Sequence, residues 1–337
     1  MNKEENVMSV LSVQTKKIPE LQATTDLVES DMIVVELADG GTRKMTYGDF
    51  LSVIRQSLII GTGGSAPDGV LTMENISDVQ TADGTKVPAS ALIKEMNDLA
   101  TVMYREQMAP YGYFGIEQDL DQLMEWVRAE EWNKFAIGDY FIDTRTNGQQ
   151  VMWEIADKNG YLYCGDQNNG LVDPHIICIP RDCLNDTTQF NSTNTNTGGY
   201  AASLMPAYLE TVLNTFSTKL KGYITETRIL ENNKGAWAWA SRKITLPSTL
   251  EVLGHAGWAD AFSGGPVCHS LALFTGGNAH VLKGRGFNKS EVQRQWWWLR
   301  DPLGSSTASF CDVYYSGFSS GHNASYSGGV APRIVLT

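Results

Sequence analysis

Hydrophobic and polar residues alternate near the start of the chain in a pattern that predicts a small hairpin followed by a helix. Residues 32–37 and 42–45 each predict a strand, and the Asp39-Gly40-Gly41 sequence between them predicts a tight turn. Apolar residues at helical spacing predict a helix over residues 46–59. A unit of roughly 35 residues rarely buries enough surface to fold alone. We therefore expect it to pack against copies of itself or against a larger structure.

A second helix is predicted over residues 88–107, after a Gly-rich linker at residues 61–69. Its apolar residues recur at alternating spacings of three and four, as in a coiled-coil seam: Ala89, Leu92, Met96, Leu99 and Met103. Two interpretations are open. The helix is a stalk whose seam faces other copies of the chain, or it is an amphipathic helix that packs on its own chain.

The remaining pattern predicts a mixed α+β domain. The predicted elements are a helix over 115–127, paired strands at 135–142 and 151–155, a buried strand at 175–179 and a helix over 203–220. After Gly254, about 40 residues rich in glycine show little periodicity. A loop of this length is either functional or contains elements that the pattern does not reveal.

Three consecutive tryptophans begin the most distinctive segment. On a strand, Trp297 would lie on one face and Trp296 and Trp298 on the other. Such a run suits a strand covered on both sides, so we expect these tryptophans and Arg300 to belong to the structural core. Residues 329–336 predict a last strand.

Charge divides the chain into two parts. Residues 1–150 contain 12 Lys and Arg against 24 Asp and Glu, whereas residues 151–337 contain 14 of each. The net charge of −12 therefore lies in the N-terminal part, which suggests two modules with different roles. An acidic chain without a basic cluster argues against nucleic-acid binding.

Secretion and membrane insertion are not predicted. The first residues show no charged segment followed by an apolar one. No apolar run approaches the roughly 20 residues of a membrane-spanning helix. The five cysteines include no Cys-x-x-Cys pair, so we interpret them as small buried residues of a protein made in a reducing cytoplasm.

Metal, cofactor and nucleophile motifs are missing from the sequence. The five histidines form no His-x-His or His-Glu-x-x-His pattern, and no Gly-x-Ser-x-Gly sequence occurs. We therefore predict no catalytic residues, no metal and no cofactor. A glycosidase needs two carboxylates that flank a sugar bond, and the C-terminal half of the chain offers four candidates: Glu251, Asp260, Asp301 and Asp312.

The sequence around these carboxylates favours structural roles. We expect Glu251 to bond the backbone near the Leu246-Pro247-Ser248 turn, and Arg300 and Asp301 to pair with neighbours.

The stronger candidate is a binding surface. Aromatic and polar side chains interleave with glycine and serine after Gly254, a composition that suits contact with sugars or proteins. We expect about half of the rings in this region to be core. The ligand-binding candidates are Trp258, Phe262, Phe274, Asn278, His280, Tyr314, Tyr315, Phe318, His322, Asn323 and Tyr326.

The C-terminal half resembles the C-type-lectin-like domains of phage and gut-bacterial proteins. The resemblance rests first on the Trp-Trp-Leu-Arg-x-Pro motif at residues 297–302 and on the closing segment at residues 329–336. Further matches are Trp153, Glu154, His175, Ser203, Met205, Leu246, Pro247, Ser248, Glu251, Gly254, Phe310, Val313 and Gly317. Asp301, Pro206 and Ala331 depart from the pattern. The resemblance implies a small core sheet, flanking helices and long loops on one face. The Glu-Pro-Asn, Gln-Pro-Asp and Trp-Asn-Asp triplets of calcium-dependent lectins do not occur.

The N-terminal hairpin resembles, over few residues, the attachment modules of phage tail and fibre proteins. Together these features predict four segments: a virion-attachment module at 1–60, a linker and trimerising helix at 61–110, a connecting helix at 111–131, and a C-type-lectin-like domain at 132–337.

These resemblances imply a bacteriophage virion protein, of fibre or appendage type, assembled in the host bacterial cytoplasm. The expected partners are other copies of the chain, as a homotrimer, other virion proteins, and a glycan or protein on the host surface. One alternative is a capsid-decorating or baseplate protein that contacts only virion proteins. Another is a polysaccharide-active enzyme.

Overall fold

The computed structural model describes residues 32–36, 42–46, 78–80, 86–112, 115–166, 170–259, 270–275, 280–284 and 294–337, with side chains from Lys94 onward. The chain divides into two compact units, Met1–Glu95 and Met96–Thr337. Each unit is described by itself.

The N-terminal unit contains two short hairpins. Strand β1 (Met32–Glu36) pairs antiparallel with β2 (Thr42–Thr46), as the alternating pattern predicts. Strand β3 (Asp78–Gln80) pairs antiparallel with β4 (Lys86–Pro88). The helix predicted over 46–59 and the linker at 61–69 lie outside the described residues.

Helix α1 (Ala89–Met108) follows β4 and closely matches the predicted helix. Three residues of the predicted seam, Met96, Leu99 and Met103, are exposed to 55%, 46% and 60%. The side chains of Ala89 and Leu92 lie outside the described residues. Val102 and Arg105, on the other side of the helix, are buried. No helix in the described ranges combines the length and apolar character needed to cross a membrane.

Within the C-terminal unit, buried Asp139 holds the last turns of α1. Its carboxylate is paired with the Arg105 guanidinium and accepts hydrogen bonds from the backbone N–H of Ile116 at 2.7 Å and of Ala136 at 3.0 Å. The strand predicted to begin at residue 135 begins instead at Tyr140, because residues 136–139 turn around this carboxylate.

Two five-stranded sheets form the frame of the C-terminal unit, which confirms the α+β class. In order across the first sheet the strands are β11 (Ile244–Thr245), β16 (Arg333–Leu336), β7 (Ile176–Pro180), β6 (Gln150–Lys158) and β5 (Tyr140–Thr144). In order across the second sheet they are β14 (Ser319–Asn323), β13 (Ser309–Val313), β12 (Trp297–Pro302), β15 (Gly328–Gly329) and β8 (Thr187–Thr188). A separate hairpin pairs β9 (Thr227–Asn232) with β10 (Trp237–Arg242). Residues 330–332 interrupt the strand predicted at 329–336.

Short helices surround the sheets. They are α2 (Leu120–Arg128), α3 (Gly199–Ala202), α4 (Met205–Leu213), α5 (Thr218–Tyr223) and α6 (Thr249–Leu253), with 3-10 turns at Ala109–Tyr111 and Ala272–Phe274. The single helix predicted over 203–220 is wrong. The chain leaves the helix after Leu213, and the Ser217 side chain accepts from the Leu220 N–H to start α5.

Helix α2 begins later than predicted, because Asp119 caps its N-terminus by accepting from the N–H groups of Asp121 and Gln122. Its Leu123, Met124 and Val127 are fully buried in the core of the C-terminal unit. The helix predicted as a connection therefore packs inside the compact unit that begins at Met96.

The tryptophan run lies in the interior, with Trp297 and Trp298 on β12 and Trp296 directly before it. Trp297 and Trp298 are fully buried and Trp296 is buried. The rings of Trp296 and Trp298 meet edge to face at 4.7 Å, while the Trp297 Nε1–H donates to the Val281 carbonyl at 3.0 Å. The two faces of β12 are therefore occupied as strand geometry requires.

A buried carboxylate, Glu251, connects the two sheets. It is paired with the Arg300 guanidinium of β12 and lies 3.5 Å from Arg333 Nε of β16. It also accepts from the Tyr161 hydroxyl and, at 2.6 Å, from the Ser248 N–H in a capping box. Burial alone would raise the pKa of Glu251, but the two guanidinium groups and the Ser248 N–H hold that pKa below its usual value. The expected bond near the Leu246-Pro247-Ser248 turn is confirmed.

Replacing Glu251 tests this connection. Glu251→Ala leaves Arg300 and Arg333 buried without their carboxylate, so we expect the free energy of unfolding to fall by about 3–5 kcal/mol. Urea denaturation monitored by tryptophan fluorescence measures it. Glu125→Ala, at an exposed position of α2, is the matched control and should unfold at the wild-type midpoint. A loss below about 1 kcal/mol for Glu251→Ala would contradict the assignment.

Candidate functional site

Five of the predicted surface residues are exposed aromatic rings. Their exposed fractions are 59% for Trp258, 43% for Tyr314, 41% for Tyr315, 70% for Phe318 and 52% for Tyr326. His322 and Asn323 are partly buried on β14. Phe262 and Asn278 lie outside the described residues.

Phe274 and His280 are not surface residues, so their prediction as part of an exposed face is wrong. Phe274 ends a 3-10 turn and is buried. The His280 ring bridges two acceptors: Nε2 lies 2.7 Å from the Ala109 carbonyl, and Nδ1 lies 3.2 Å from Glu154 Oε2. These tertiary partners are distant in sequence and leave no local pattern.

A cleft of about 750 Å³ opens beside Trp258 and Phe318. These are the two most exposed aromatic rings that line it, whereas Val252, Phe274 and Val281 are buried. The lining residues are Val252, Leu253, His255, Gly257, Trp258, Phe274, Val281, Gly317, Phe318 and Ser319. The cleft therefore combines an apolar interior with polar groups on His255 and Ser319.

Trp258 is positioned by the chain that follows α6. Gly254 ends the helix in the left-handed conformation, and the Trp258 carbonyl accepts from Gly304 N–H at 2.9 Å beyond β12. Gly257 has a φ of 57°, and a Cβ there would lie 2.5 Å from Ser319 Oγ. Only glycine lets this turn approach β14 so closely.

Phe318 is positioned by the turn between β13 and β14. The Tyr314 N–H donates to the Phe318 carbonyl at 2.9 Å, and the Gly317 N–H donates to the Tyr314 carbonyl at 2.8 Å. Gly317 has a φ of 85°, which favours glycine. The turn is therefore held by its own backbone, and its aromatic side chains remain available for contact.

Beyond the turn, His322 lies at the centre of a group of three rings and one carboxylate. The group, here called the His322 cluster, consists of His322, Trp296, Tyr314, Tyr326 and Asp312. The His322 ring stacks on Trp296 at 4.0 Å and lies 6.2 Å from Tyr314 and 6.0 Å from Tyr326. Its Nδ1 lies 2.8 Å from the Oδ2 atom of buried Asp312. Burial raises the pKa of Asp312, and His322 offsets part of that rise.

The sequence indicated His322 and Asp312 separately, as a ring and a carboxylate, but not as a pair. The one feature of the sequence that could have predicted this pair is the turn at Gly317, because it sets the register of β13 with β14. It pairs Asp312 with Ser320, which brings His322, two residues further along β14, onto the same face.

The three candidate carboxylates that the structure describes, Glu251, Asp301 and Asp312, each have a partner within the protein. Asp301 Oδ2 accepts from the N–H and hydroxyl of Thr249 at 2.6 and 2.8 Å, and Glu251 binds Arg300. The predicted pairing of Arg300 and Asp301 with neighbours is confirmed. Asp260 lies outside the described residues. Within the described ranges, no three His, Cys, Asp or Glu side chains are grouped to hold a metal ion.

Comparison with known proteins gives one match. Residues 175–337, a little under half of the chain, are similar to a family described as a domain of unknown function (DUF6273). The matched segment contains the cleft and the whole His322 cluster. No curated protein and no solved structure matches the chain.

Because Glu154 is buried with a lowered pKa, we predict that the free energy of unfolding falls at acidic pH. Burial alone would raise the pKa of Glu154, but His280, Arg181 and Lys283 together lower it below the usual 4.5. The ionised carboxylate therefore contributes stability that is fully present above about pH 4.5, and this is lost as the pH falls through the folded-state pKa.

We expect Glu154→Gln to flatten the fall in unfolding free energy below about pH 4.5, where wild type loses the contribution of this carboxylate. Urea titrations at a series of pH values measure the slope. Glu117→Gln, at an exposed position, should keep the wild-type slope. Parallel curves for Glu154→Gln and wild type would show that Glu154 does not carry the effect.

Proposed function

We propose that the chain is a fibre-type structural protein of a bacteriophage virion, and that its C-terminal domain is C-type-lectin-like and binds a glycan on the host surface. The observation that carries the proposal is the cleft flanked by Trp258 and Phe318. Large apolar rings exposed together at a concave site are typical of binding surfaces.

Two features support the lectin-like assignment. The motif residues at 297–302 lie on a central buried strand, and the closing residues 333–336 pair with β7 and β11 in the other sheet. The matching Glu251 ties these two strands together. Helices flank the sheets, and the irregular segment that follows α6 contributes Trp258 to the cleft.

The dimensions and chemistry of the cleft favour a sugar. Its volume of about 750 Å³ lies within the roughly 300–1,000 Å³ range of small-ligand sites. A pyranose ring offers an apolar C–H face to an aromatic ring and hydroxyl groups to polar neighbours. Trp258 and Phe318 supply the rings, and His255 and Ser319 supply hydrogen-bonding groups.

Loss of the two exposed rings tests glycan binding. We expect the full chain to bind at least one polysaccharide in a panel of purified bacterial capsules and O-antigens on a biosensor surface. The double variant Trp258→Ala/Phe318→Ala should bind at least tenfold more weakly, because two stacking faces are removed. Tyr163→Ala, another exposed ring that does not line the cleft, should bind like wild type.

A host-binding role would be contradicted if the wild-type chain bound none of these polysaccharides and none of the bacteria that supplied them. The protein can also be labelled and located in the assembled particle. A C-terminal domain covered there by other subunits would instead favour a capsid-decorating or baseplate role.

The exposed seam of α1 carries the second part of the proposal, a homotrimeric stalk. Met96, Leu99 and Met103 form an apolar stripe at alternating heptad spacing, which two further copies can cover. The N-terminal hairpins then serve as the attachment to other virion proteins.

Sedimentation of the full chain tests the stalk. We expect a trimer for wild type and a monomer for Leu99→Glu, because three buried carboxylates would meet in the seam. Thr101→Glu adds the same charge to an exposed position of α1 outside the seam and should remain trimeric. A monomeric wild-type chain at micromolar concentration would overturn the stalk.

A further inference from the structure

The Asp312–His322 contact selects the tautomer that the His322 ring has when it carries one proton. Asp312 is buried, and its Oδ2 atom lies 2.8 Å from His322 Nδ1. Because a carboxylate only accepts hydrogen bonds, Nδ1 carries the proton and donates. The other ring nitrogen, Nε2, then has a lone pair and is a hydrogen-bond acceptor.

His322 Nε2 is available to a ligand. It makes no hydrogen bond with the described residues and is not among their buried unsatisfied atoms. The imidazole is held flat against Trp296, with ring centroids 4.0 Å apart and an interplanar angle of 13°. The acceptor is therefore fixed in direction by one hydrogen bond and one stacking contact.

Two exposed rings flank this acceptor. Tyr314 and Tyr326 lie 6.2 and 6.0 Å from the imidazole, and about half of each side chain is open to solvent. The Tyr314 ring is nearly parallel to the imidazole, at 17°. The cluster thus presents flat aromatic faces beside the Nε2 acceptor of His322.

The pairing of strands β13 and β14 does not depend on this dyad. Five backbone pairs already join them, from Ser309–Asn323 to Val313–Ser319. Burial of a carboxylate is unfavourable for stability by itself, and burial raises the pKa of Asp312. A buried carboxylate that orients a partly exposed histidine is the arrangement found at sites where an imidazole contacts a ligand.

We propose that the His322 cluster is a subsite for one neutral pyranose ring. A sugar hydroxyl donates to His322 Nε2, and the C–H face of the sugar lies on Tyr314 or Tyr326. An unprotonated Nε2 accepts hydrogen bonds, so it selects a donor such as a hydroxyl over a phosphate or carboxylate at this position. The subsite rests on the proposed glycan binding and adds a contact outside the residues that line the cleft.

Nitrogen-15 NMR of the full chain at neutral pH tests the subsite. Two-bond and three-bond correlations to the imidazole protons report which nitrogen carries the proton, and His322→Phe assigns the signals. We expect His322 with Nδ1 protonated and Nε2 unprotonated. Titration with methyl glycosides of glucose, galactose, mannose and N-acetylglucosamine should shift the Nε2 signal for at least one of them.

Binding of that glycoside, measured by saturation-transfer NMR, should weaken about tenfold in His322→Phe, which keeps a ring but loses the acceptor. His322→Gln keeps an acceptor oxygen and should recover part of the affinity. Tyr163→Ala, at an exposed ring outside both the cleft and the His322 cluster, is the control and should leave the glycoside-induced shift of His322 Nε2 unchanged.

The outcomes separate the subsite from the proposed function. If the chain binds polysaccharide through Trp258 and Phe318 but no glycoside shifts His322 Nε2, the subsite is wrong and the function stands. If a glycoside shifts Nε2 but no polysaccharide or cell is bound, the subsite stands and host binding is wrong. A proton on Nε2 in place of Nδ1 overturns the subsite.

Discussion

The C-terminal unit depends on one buried carboxylate held between two guanidinium groups. Glu251 lies on the short helix α6. Its carboxylate contacts Arg300 on β12 of one sheet and Arg333 on β16 of the other. Three charges removed from water are tolerated only when each has a partner. The Tyr161 hydroxyl and the Ser248 N–H complete the coordination of the carboxylate. The relative placement of the two sheets is thereby linked to a single side chain.

That frame explains how the cleft and the His322 cluster are supported. Helix α6 carries Glu251 on one side and leads through Gly254 to Trp258, so the residue that holds the sheets also fixes the start of the cleft. Strand β13 carries Asp312 and leads to the turn that presents Tyr314 and Phe318. The exposed rings of this candidate site thus extend from rigid elements by short, hydrogen-bonded turns, an arrangement that lowers the entropic cost of binding.

The sequence predicted those elements whose formation depends on local pattern. The first hairpin, helix α1 and the alternation along the tryptophan strand follow from turn chemistry and periodicity alone. Features that depend on distant partners were not predictable. Residues 136–139 form a turn because Asp139 binds Arg105. The buried His280 ring has its two nitrogens next to the Ala109 carbonyl and the Glu154 carboxylate. Of the candidate site, composition indicated the exposed rings, but the Asp312–His322 pair requires the register of β13 with β14.

The attachment of α1 has a mechanical consequence. Arg105, near the end of the helix, is paired with Asp139, and Glu106 is paired with Lys158 at 2.5 Å. Asp139 is in turn anchored to the backbone at residues 116 and 136. Tension along the helix axis would therefore be shared by several bonds loaded together in shear, rather than broken one after another as in peeling. In a joint of this kind, several bonds must break together before the end of the helix separates from residues 116 and 136.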